Sequence, residues 1–254
     1  MTVKLDVREV LIDAWMIYVR NLDRLVAVAA IGFGSVLAIT IVTHLAGADI
    51  SVTVDGEELL VNPVGIVLYV VALPWIQGAL AVSARILRED PDGLYLGAIW
   101  KRLEPRLWHL LGAGLIQGVV VGALAFPLAL RGLPAPLLLG IPLAVFVATW
   151  WAVLVPVVAL EKLPVVASFR RSHWLVRGNA WRVFWVILIA FATAFFFSVM
   201  LKALLSGLPG FLGAYVSGAI ASMIVTPWAV AAVTEMYGDL RLAREALPAR
   251  RPGE

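Results

Sequence analysis

The chain has 254 residues, of which 62% are hydrophobic and only 15% are charged, and its mean hydropathy is +0.94. Soluble domains are about 45–50% apolar and about 25% charged, so this composition excludes an ordinary soluble fold and indicates a polytopic membrane protein. The absence of cysteine excludes disulfides, thiolate nucleophiles and cysteine-ligated metals, and the formal net charge is +3.

The first 24 residues predict an amphipathic helix that precedes the first membrane span. One helical face is acidic and carries Arg20, whereas the other face is apolar and comprises Val7, Val10, Leu11, Ala14, Trp15 and Tyr18. Aromatic rings beside cationic side chains are typical of a helix that lies in the bilayer interface. A helix packed against the end of the bundle is the alternative interpretation, and the two are compatible.

Six segments without charged residues predict six transmembrane helices. A helix needs about 20 apolar residues to cross the hydrocarbon core, where each charge costs about 2.5–3.5 kcal/mol. Because lipid cannot pair with backbone polar groups, continuous apolar segments of this kind are expected to be helical. Arg131-Gly132 and two prolines separate the third and fourth segments and predict a tight turn. The six segments are 25–46, 63–84, 107–130, 132–160, 183–201 and 203–234.

The segment 47–62, between the first two spans, predicts a β-hairpin. Val52 and Val54 alternate with polar residues before the turn dipeptide Asp55-Gly56. The segment carries four acidic residues and no basic residue. A small ribbon that caps the bundle is the simpler interpretation, and a lid that grips a ligand is the alternative.

The positions of the basic residues predict the orientation of the chain. Eighteen of the 20 Lys and Arg residues lie on one side of the predicted spans, and only Arg131 and Lys202 lie on the other. Basic residues in short loops stay in the cytoplasm, so both termini are expected inside the cell, with the chain in the inner membrane. We expect one membrane domain over residues 1–246 and a short cytoplasmic tail over residues 247–254.

An amphipathic stretch, a span and a return span recur three times along the chain. This order predicts three repeat-like units at about 5–88, 92–160 and 164–241. The predicted fold is therefore all-α, a polytopic bundle of six transmembrane helices built as three amphipathic-helix-plus-hairpin units. The return spans are predicted to kink because each contains a proline, which removes a helical hydrogen bond; these residues are Pro74, Pro156 and Pro227.

Polar and small residues within the spans predict helix packing. Gln77 and Gln117 lie at mid-span, where hydrogen bonds between helices are their default role. Gly114, Gly118 and Gly122 are spaced four apart, which predicts close helix contact within the monomer or at a dimer interface.

Acidic residues at the basic ends of the spans predict charge pairing. Glu161 ends the fourth span and Glu235 ends the sixth, and both are expected to pair with arginine rather than transfer protons. Asp239 and Arg241 belong to the same predicted pairing on the inner face. The chain has no HExxH motif, nucleophile elbow or phosphate loop, so we predict no catalytic residue, metal or cofactor.

Cationic residues beside aromatic residues are the candidates for binding a membrane surface or a partner. Anionic lipid attracts each such residue by about 1 kcal/mol when it lies near the surface. The candidates for binding anionic headgroups or a partner protein are Arg20, Arg24, Arg102, Arg106, Arg170, Arg171 and Arg177. A homo-oligomer is also compatible with the sequence. Nucleic acid is not expected as a partner, because the basic residues border apolar segments.

Three motifs resemble one bacterial family, the membrane domain named after glycerophosphoryl diester phosphodiesterase. They are "VREVLIDAWMIYVRNLDRLV" at the start, "PVVALEKLPVVASFRRSHWLVRGNAWRVFWV" in the middle and "EMYGDLRLARE" near the end. The middle motif is the most specific, and the similarity covers nearly the whole chain in order. The resemblance implies a helical membrane module. It does not imply the phosphodiesterase activity, because this chain has no room for that catalytic domain.

These observations predict a non-enzymatic membrane module that binds anionic lipid or a partner protein through its inner amphipathic helices. A small transporter or channel component is the first alternative, favoured by the kinked return spans and the two mid-span glutamines. An intramembrane lipid enzyme is the second alternative, and it requires Glu161, Glu235 or His109 to converge in one pocket.

Overall fold

The computed structural model describes residues 5–54, 57–90, 93–125, 140–204 and 210–246. Two antiparallel strands, β1 and β2, are Ile50–Val54 and Glu57–Val61. The α-helices in these ranges are α1 (Val7–Arg20), α2 (Leu22–Leu45), α3 (Pro63–Glu89), α4 (Leu96–Leu103), α5 (Leu107–Ala125), α6 (Gly140–Trp150), α7 (Leu154–Leu160), α8 (Val165–Val176), α9 (Ala180–Leu204) and α10 (Gly210–Glu245).

Six helical segments of the described chain are long and apolar enough to cross a membrane, which confirms the predicted all-α, six-span bundle. The spans are α2, α3, α5, the α6–α7 pair, α9 and α10. A 3₁₀ turn at Glu104–Arg106 joins α4 to α5, so that the third span continues directly from its amphipathic helix. A short helix and two spans follow each other three times, and the structural equivalence of three units stays a prediction.

Five of the spans surround a central space. α10 packs against α9 and α3, α3 packs against α5, α5 packs against α6, and α6 contacts α9. α2 lies outside this ring against α3 and α10, and α1 packs against α10 and α9. The basic segments lie at one end of the bundle, which we call the basic side, and the β-hairpin lies at the opposite end, which we call the hairpin side.

Close helix contact occurs where a small residue faces a bulky one. A Cβ on Gly114 would lie 2.8 Å from the Cβ of Pro74 and would overlap the rest of that ring, so α5 touches α3 at the proline. Gly118 and Gly122 have no described heavy atom within 4 Å of an added Cβ. The predicted glycine ridge therefore packs within the described chain at Gly114 alone, and its role in a dimer stays a prediction.

The fourth span is broken just before Pro156, between α6 and α7. Pro156 has no N–H to donate to the carbonyl of Ala152, and its ring crowds that carbonyl. Residues 151–153 form a turn there. The buried Ser172 hydroxyl of α8 donates a hydrogen bond of 3.0 Å to the carbonyl of Trp150. The predicted kink at Pro156 thus coincides with a break in the span. Pro74 and Pro227 lie inside continuous helices, where a kink stays a prediction.

Helix α1 has two apolar faces. Val10, Ala14 and Tyr18 are buried in the bundle, as the sequence predicts. Burial raises the pKa of the Tyr18 phenol, which stays protonated and donates a 2.8 Å hydrogen bond to the carbonyl of Ile224. A second stripe, exposed at helical spacing, comprises Ile12, Trp15, Met16 and Val19. An exposed apolar stripe of this kind suits contact with lipid at the interface.

The hairpin side carries the predicted β-ribbon. Ile50 pairs with Val61 and Val54 pairs with Glu57, which confirms the hairpin, whereas its turn dipeptide lies outside the described residues. The turn predicted at residues 131–136 and the tail at residues 247–254 also lie outside them. Asn62 anchors the ribbon to the bundle, since its buried side chain caps α3 at Gly65 and donates to Asp49.

We expect Gly114→Ala to lower the free energy of unfolding by about 1–3 kcal/mol, because the new methyl group collides with the rigid Pro74 ring. Gly118→Ala is the matched control on the same helix, and it places the same methyl group in open space. Thermal unfolding in detergent micelles gives the melting temperatures of the two variants. Equal melting temperatures for the two variants would contradict the observed contact.

Candidate functional site

Ion pairs join the basic ends of α7, α8 and α10. The Glu161 carboxylate accepts hydrogen bonds from Arg171 Nε at 2.7 Å and from the Tyr237 hydroxyl at 2.8 Å. Arg171 also donates from Nη2 to Glu245 at 3.1 Å, and Arg241 Nε donates to the same carboxylate at 2.9 Å. The predicted pairing of Glu161 with arginine is therefore confirmed, and the network fixes α8 against the end of the sixth span.

A second ion pair joins α3 to α10. Glu235, with only 4% of its side chain exposed, pairs with Arg88. This confirms the prediction for Glu235, because a buried carboxylate is stabilised by a close cation. Asp239 forms no ion pair within the described part of the chain, and Arg241 pairs with Glu245 instead. The inner-face pairing therefore differs from the prediction at Asp239.

Next to these ion pairs lies a cleft of about 930 Å³, bounded by α3, α4, α7 and α10. We call it the basic cleft. Its lining includes seven cationic side chains, Arg85, Arg88, Lys101, Arg102, Arg106, Lys162 and Arg241, against three anionic ones, Glu89, Asp239 and Glu245. The formal excess is four positive charges, so the electrostatic potential of the cleft favours an anion.

The cations of the cleft differ in how far they are neutralised. Glu89 accepts from Arg85 Nε at 2.7 Å and lies 3.8 Å from a nitrogen of Arg102. Lys101, Arg106 and Lys162 form no ion pair with any described residue. These three side chains therefore carry the charge that is available to a ligand.

Lys162 has an unusual backbone conformation at the edge of the cleft. Its φ angle is +51°, in the left-handed region that L-residues other than asparagine and aspartate seldom occupy. Such a conformation costs about 1–2 kcal/mol relative to the right-handed one. Lys162 thus combines an unfavourable backbone conformation with a charge that has no ion-pair partner among the described residues, which makes it a candidate ligand-binding residue.

The structure divides the predicted cationic candidates into three groups. Arg102 and Arg106 line the basic cleft, and Arg171 is held in the ion-pair network. The remaining four lie outside the cleft lining, namely Arg20, Arg24, Arg170 and Arg177. The prediction omitted Arg85, Arg88, Lys101 and Lys162, although all four were recognised as residues of the basic side.

Aromatic rings surround the ion-pair network. Trp174 lies under two guanidinium groups, with Arg171 at 4.7 Å and Arg244 at 5.4 Å from the ring centroid. His173 stacks on Trp150 with ring centroids 3.6 Å apart. Partial burial, together with the charge of Arg177, lowers the pKa of His173, so this ring is neutral at pH 7.

A second space, which we call the mid-span cavity, lies inside the five-helix ring. Its volume is about 490 Å³, and its polar lining comprises Tyr69, Gln77, Gln117, Ser198, Ser222 and Thr226. No charged side chain is among its described lining residues. The two glutamines occur in the same tripeptide, Ile-Gln-Gly, at residues 76–78 and 116–118. The predicted hydrogen bonds of Gln77 and Gln117 to neighbouring helices are absent from the described chain, and both residues face this cavity instead.

The two spaces share no lining residue among the described ones, and buried residues occupy the levels between them. On α3, Leu80 and Ala81 lie between the levels of the cavity and the cleft, and both are at most 1% exposed. On α7, Val157 and Val158 occupy the corresponding position and are fully buried. Met236 of α10 is likewise inaccessible. The basic cleft and the mid-span cavity are therefore distinct sites in this conformation.

Of the three residues that an intramembrane enzyme would need, the two carboxylates are held in ion pairs. Glu161 and Glu235 are each held by an arginine, and the buried Nδ1 of His109 has no hydrogen-bond partner among the described residues. No group of three or more His, Asp or Glu side chains within the described ranges is placed to hold a metal ion.

No family model, no curated protein and no solved structure matches this chain. The resemblance to the glycerophosphoryl diester phosphodiesterase membrane domain therefore stays a prediction.

Proposed function

We propose that this protein is a non-enzymatic module of the inner membrane that binds anionic lipid headgroups in the basic cleft. The observation that carries the proposal is the excess of four positive charges in one cleft at the ends of membrane spans. The spans α3 and α10 both reach the cleft with their last turns, which supports a position of the cleft near the level of the lipid headgroups.

The surroundings of the cleft favour a lipid over a free anion. Tyr95 lines the cleft, Trp100 lies on the adjoining α4, and Leu242 lines the α10 wall, yet all three remain largely exposed. Aromatic and apolar side chains beside cations are the composition of a membrane interface. A lipid meets both sets of groups at once, because its phosphate fits the cations and its acyl chains fit the apolar rim.

The proposed orientation places the basic side, with both termini, in the cytoplasm. The uneven distribution of Lys and Arg supports it, since 18 of 20 lie on that side. The cytoplasmic leaflet is also the one whose anionic lipids attract juxtamembrane cations, by about 1 kcal/mol for each residue. Orientation and ligand are therefore supported by the same charges.

The transporter alternative is favoured by one observation, the polar mid-span cavity. Transport also requires a path from that cavity to one side, and buried residues of α3 and α7 separate it from the basic cleft. We therefore rank transport second. This alternative can be tested without knowing a substrate. If such a path opens, liposomes that contain the protein should be more permeable to water than empty liposomes.

Three cations of the cleft have no ion-pair partner among the described residues, and replacing them by Lys101→Gln, Arg106→Gln and Lys162→Gln is expected to weaken the binding of phosphatidylglycerol about 100-fold. Each lost cation removes about 1 kcal/mol of attraction, and 1.4 kcal/mol corresponds to a tenfold change in affinity. Protein in nanodiscs titrated with fluorescent phosphatidylglycerol measures the change, with phosphatidylcholine as the neutral lipid.

The matched control is Arg20→Gln, Arg170→Gln and Arg177→Gln, which removes the same charge from the same side but outside the cleft lining. A general surface attraction predicts equal losses in the two triple variants, whereas a cleft predicts a much smaller loss in the control. Equal losses of phosphatidylglycerol affinity in the two triple variants would show that the cleft is not the binding site. Unchanged affinity in both variants would overturn the proposal of lipid binding.

The variant Lys162→Gly tests whether Lys162 contributes to the stability of the fold or to lipid binding. Glycine adopts a positive φ without steric cost, so we expect the free energy of unfolding to rise by about 1 kcal/mol. Affinity for phosphatidylglycerol is expected to fall about fivefold, because one cation is lost. Lys162→Asn, which also tolerates this conformation, should behave in the same way. Reduced stability together with unchanged lipid affinity would show that Lys162 serves the fold rather than the ligand.

A further inference from the structure

The mid-span cavity lies near the middle of the bilayer. Gln77 is the fifteenth residue of the 27-residue helix α3, so it is about 20 Å from either end of the span at 1.5 Å per residue. Gln117 is the eleventh of 19 residues in α5. The cavity therefore presents amide groups at a depth where bulk lipid offers only hydrocarbon.

The two amides are left without partners in the described chain. An amide buried in an apolar medium without a hydrogen bond is unfavourable, and spans normally pair such groups between helices. Here Gln77 projects from α3 and Gln117 from α5 into one shared space that also receives Ser198 and Thr226. Two unpaired amides that face one cavity indicate that something in the cavity pairs with them.

The cavity is open toward the lipid on the side of α9. Phe191 and Phe195 line it, yet 68% and 62% of their surfaces are exposed. Both residues lie in the hydrocarbon-spanning part of α9, so their exposed faces meet lipid rather than water. A ligand can thus enter from within the bilayer, past these two rings.

The lining defines the chemistry of the ligand. No charged side chain lines the cavity among its described residues, so an ionised headgroup would be buried there without a counter-charge. Amides and hydroxyls recognise hydroxyl, ester or ketone groups instead. The volume of about 490 Å³ lies within the range of about 300–1,000 Å³ that is usual for small-molecule sites.

We propose that the mid-span cavity binds an uncharged lipid whose hydroxyl or ester groups pair with Gln77 and Gln117, and that this lipid enters laterally past Phe191 and Phe195. Diacylglycerols and long-chain prenyl alcohols share this chemistry. The site is separate from the basic cleft, and its occupation does not depend on anionic lipid.

The test uses photoactivatable lipid probes in nanodiscs that contain the full chain. A diacylglycerol probe, a prenyl alcohol probe and a phosphatidylcholine probe are compared, and the crosslinked peptides are mapped. We expect at least one neutral probe to label the peptides that carry Phe191–Ser198 and Ser222–Thr226 several-fold more than the phosphatidylcholine probe does. The neutral probe that labels identifies whether the ligand is a glyceride or a prenyl alcohol.

The variant Gln77→Leu with Gln117→Leu removes both amides and keeps similar volumes. Labelling by the neutral probe is expected to fall at least tenfold, while the melting temperature without added ligand stays equal or rises. Ser35→Leu, on the exposed surface of α2, is the control and should label as the wild type does. Equal labelling by phosphatidylcholine, or unchanged labelling in the double variant, would overturn the proposal.

If the double variant folds poorly, Gln77→Asn with Gln117→Asn provides a second test. It keeps the amides but withdraws each by one methylene, so labelling should fall while the polarity of the cavity is unchanged. Labelling equal to that of the wild type would show that the amides do not touch the ligand. Loss of anionic-lipid binding alone would bear on the basic cleft and leave this site unaffected.

Discussion

The exclusion of charge and of unpaired backbone groups from the hydrocarbon core governs this structure. Charged residues are confined to the ends of the spans, so seven cationic side chains from three separate segments meet in the basic cleft. The same constraint leaves only amides and hydroxyls for the mid-span cavity. One rule therefore produces two sites of opposite character, a charged cleft at the interface and an uncharged polar cavity at mid-depth.

Where the backbone is irregular, side chains from distant segments complete its hydrogen bonds. The break before Pro156 exposes the Trp150 carbonyl, which accepts from Ser172 of α8. In α10, which is continuous through Pro227, the carbonyl of Ile224 accepts a further hydrogen bond from Tyr18 of α1. Two of the short amphipathic helices, α1 and α8, thus donate side-chain hydrogen bonds to carbonyl groups of the spans. The third, α4, lines the basic cleft that we propose as the lipid site.

Much of the fold follows from the sequence alone because the underlying signals are local. Charge-free segments predict the spans, alternating valines predict the ribbon, and carboxylates at span ends predict their arginine partners. The two sites are not local. The basic cleft joins α3, α4, α7 and α10, so no segment by itself distinguishes Lys162, which lines it, from Arg170, which does not. Gln77 and Gln117 were recognisable as unusual, but their common cavity depends on how α3 and α5 close the ring.

In the proposed orientation, the basic side, with its cleft, faces the cytoplasm. Because the chain contains no cysteine, single cysteines report accessibility without interference. Ser51→Cys on the ribbon and Arg170→Cys on α8 are compared in intact cells with a membrane-impermeant maleimide. The account predicts that Ser51→Cys reacts at once and that Arg170→Cys reacts only after permeabilisation. Reaction of Arg170→Cys in intact cells, with Ser51→Cys protected, would contradict it.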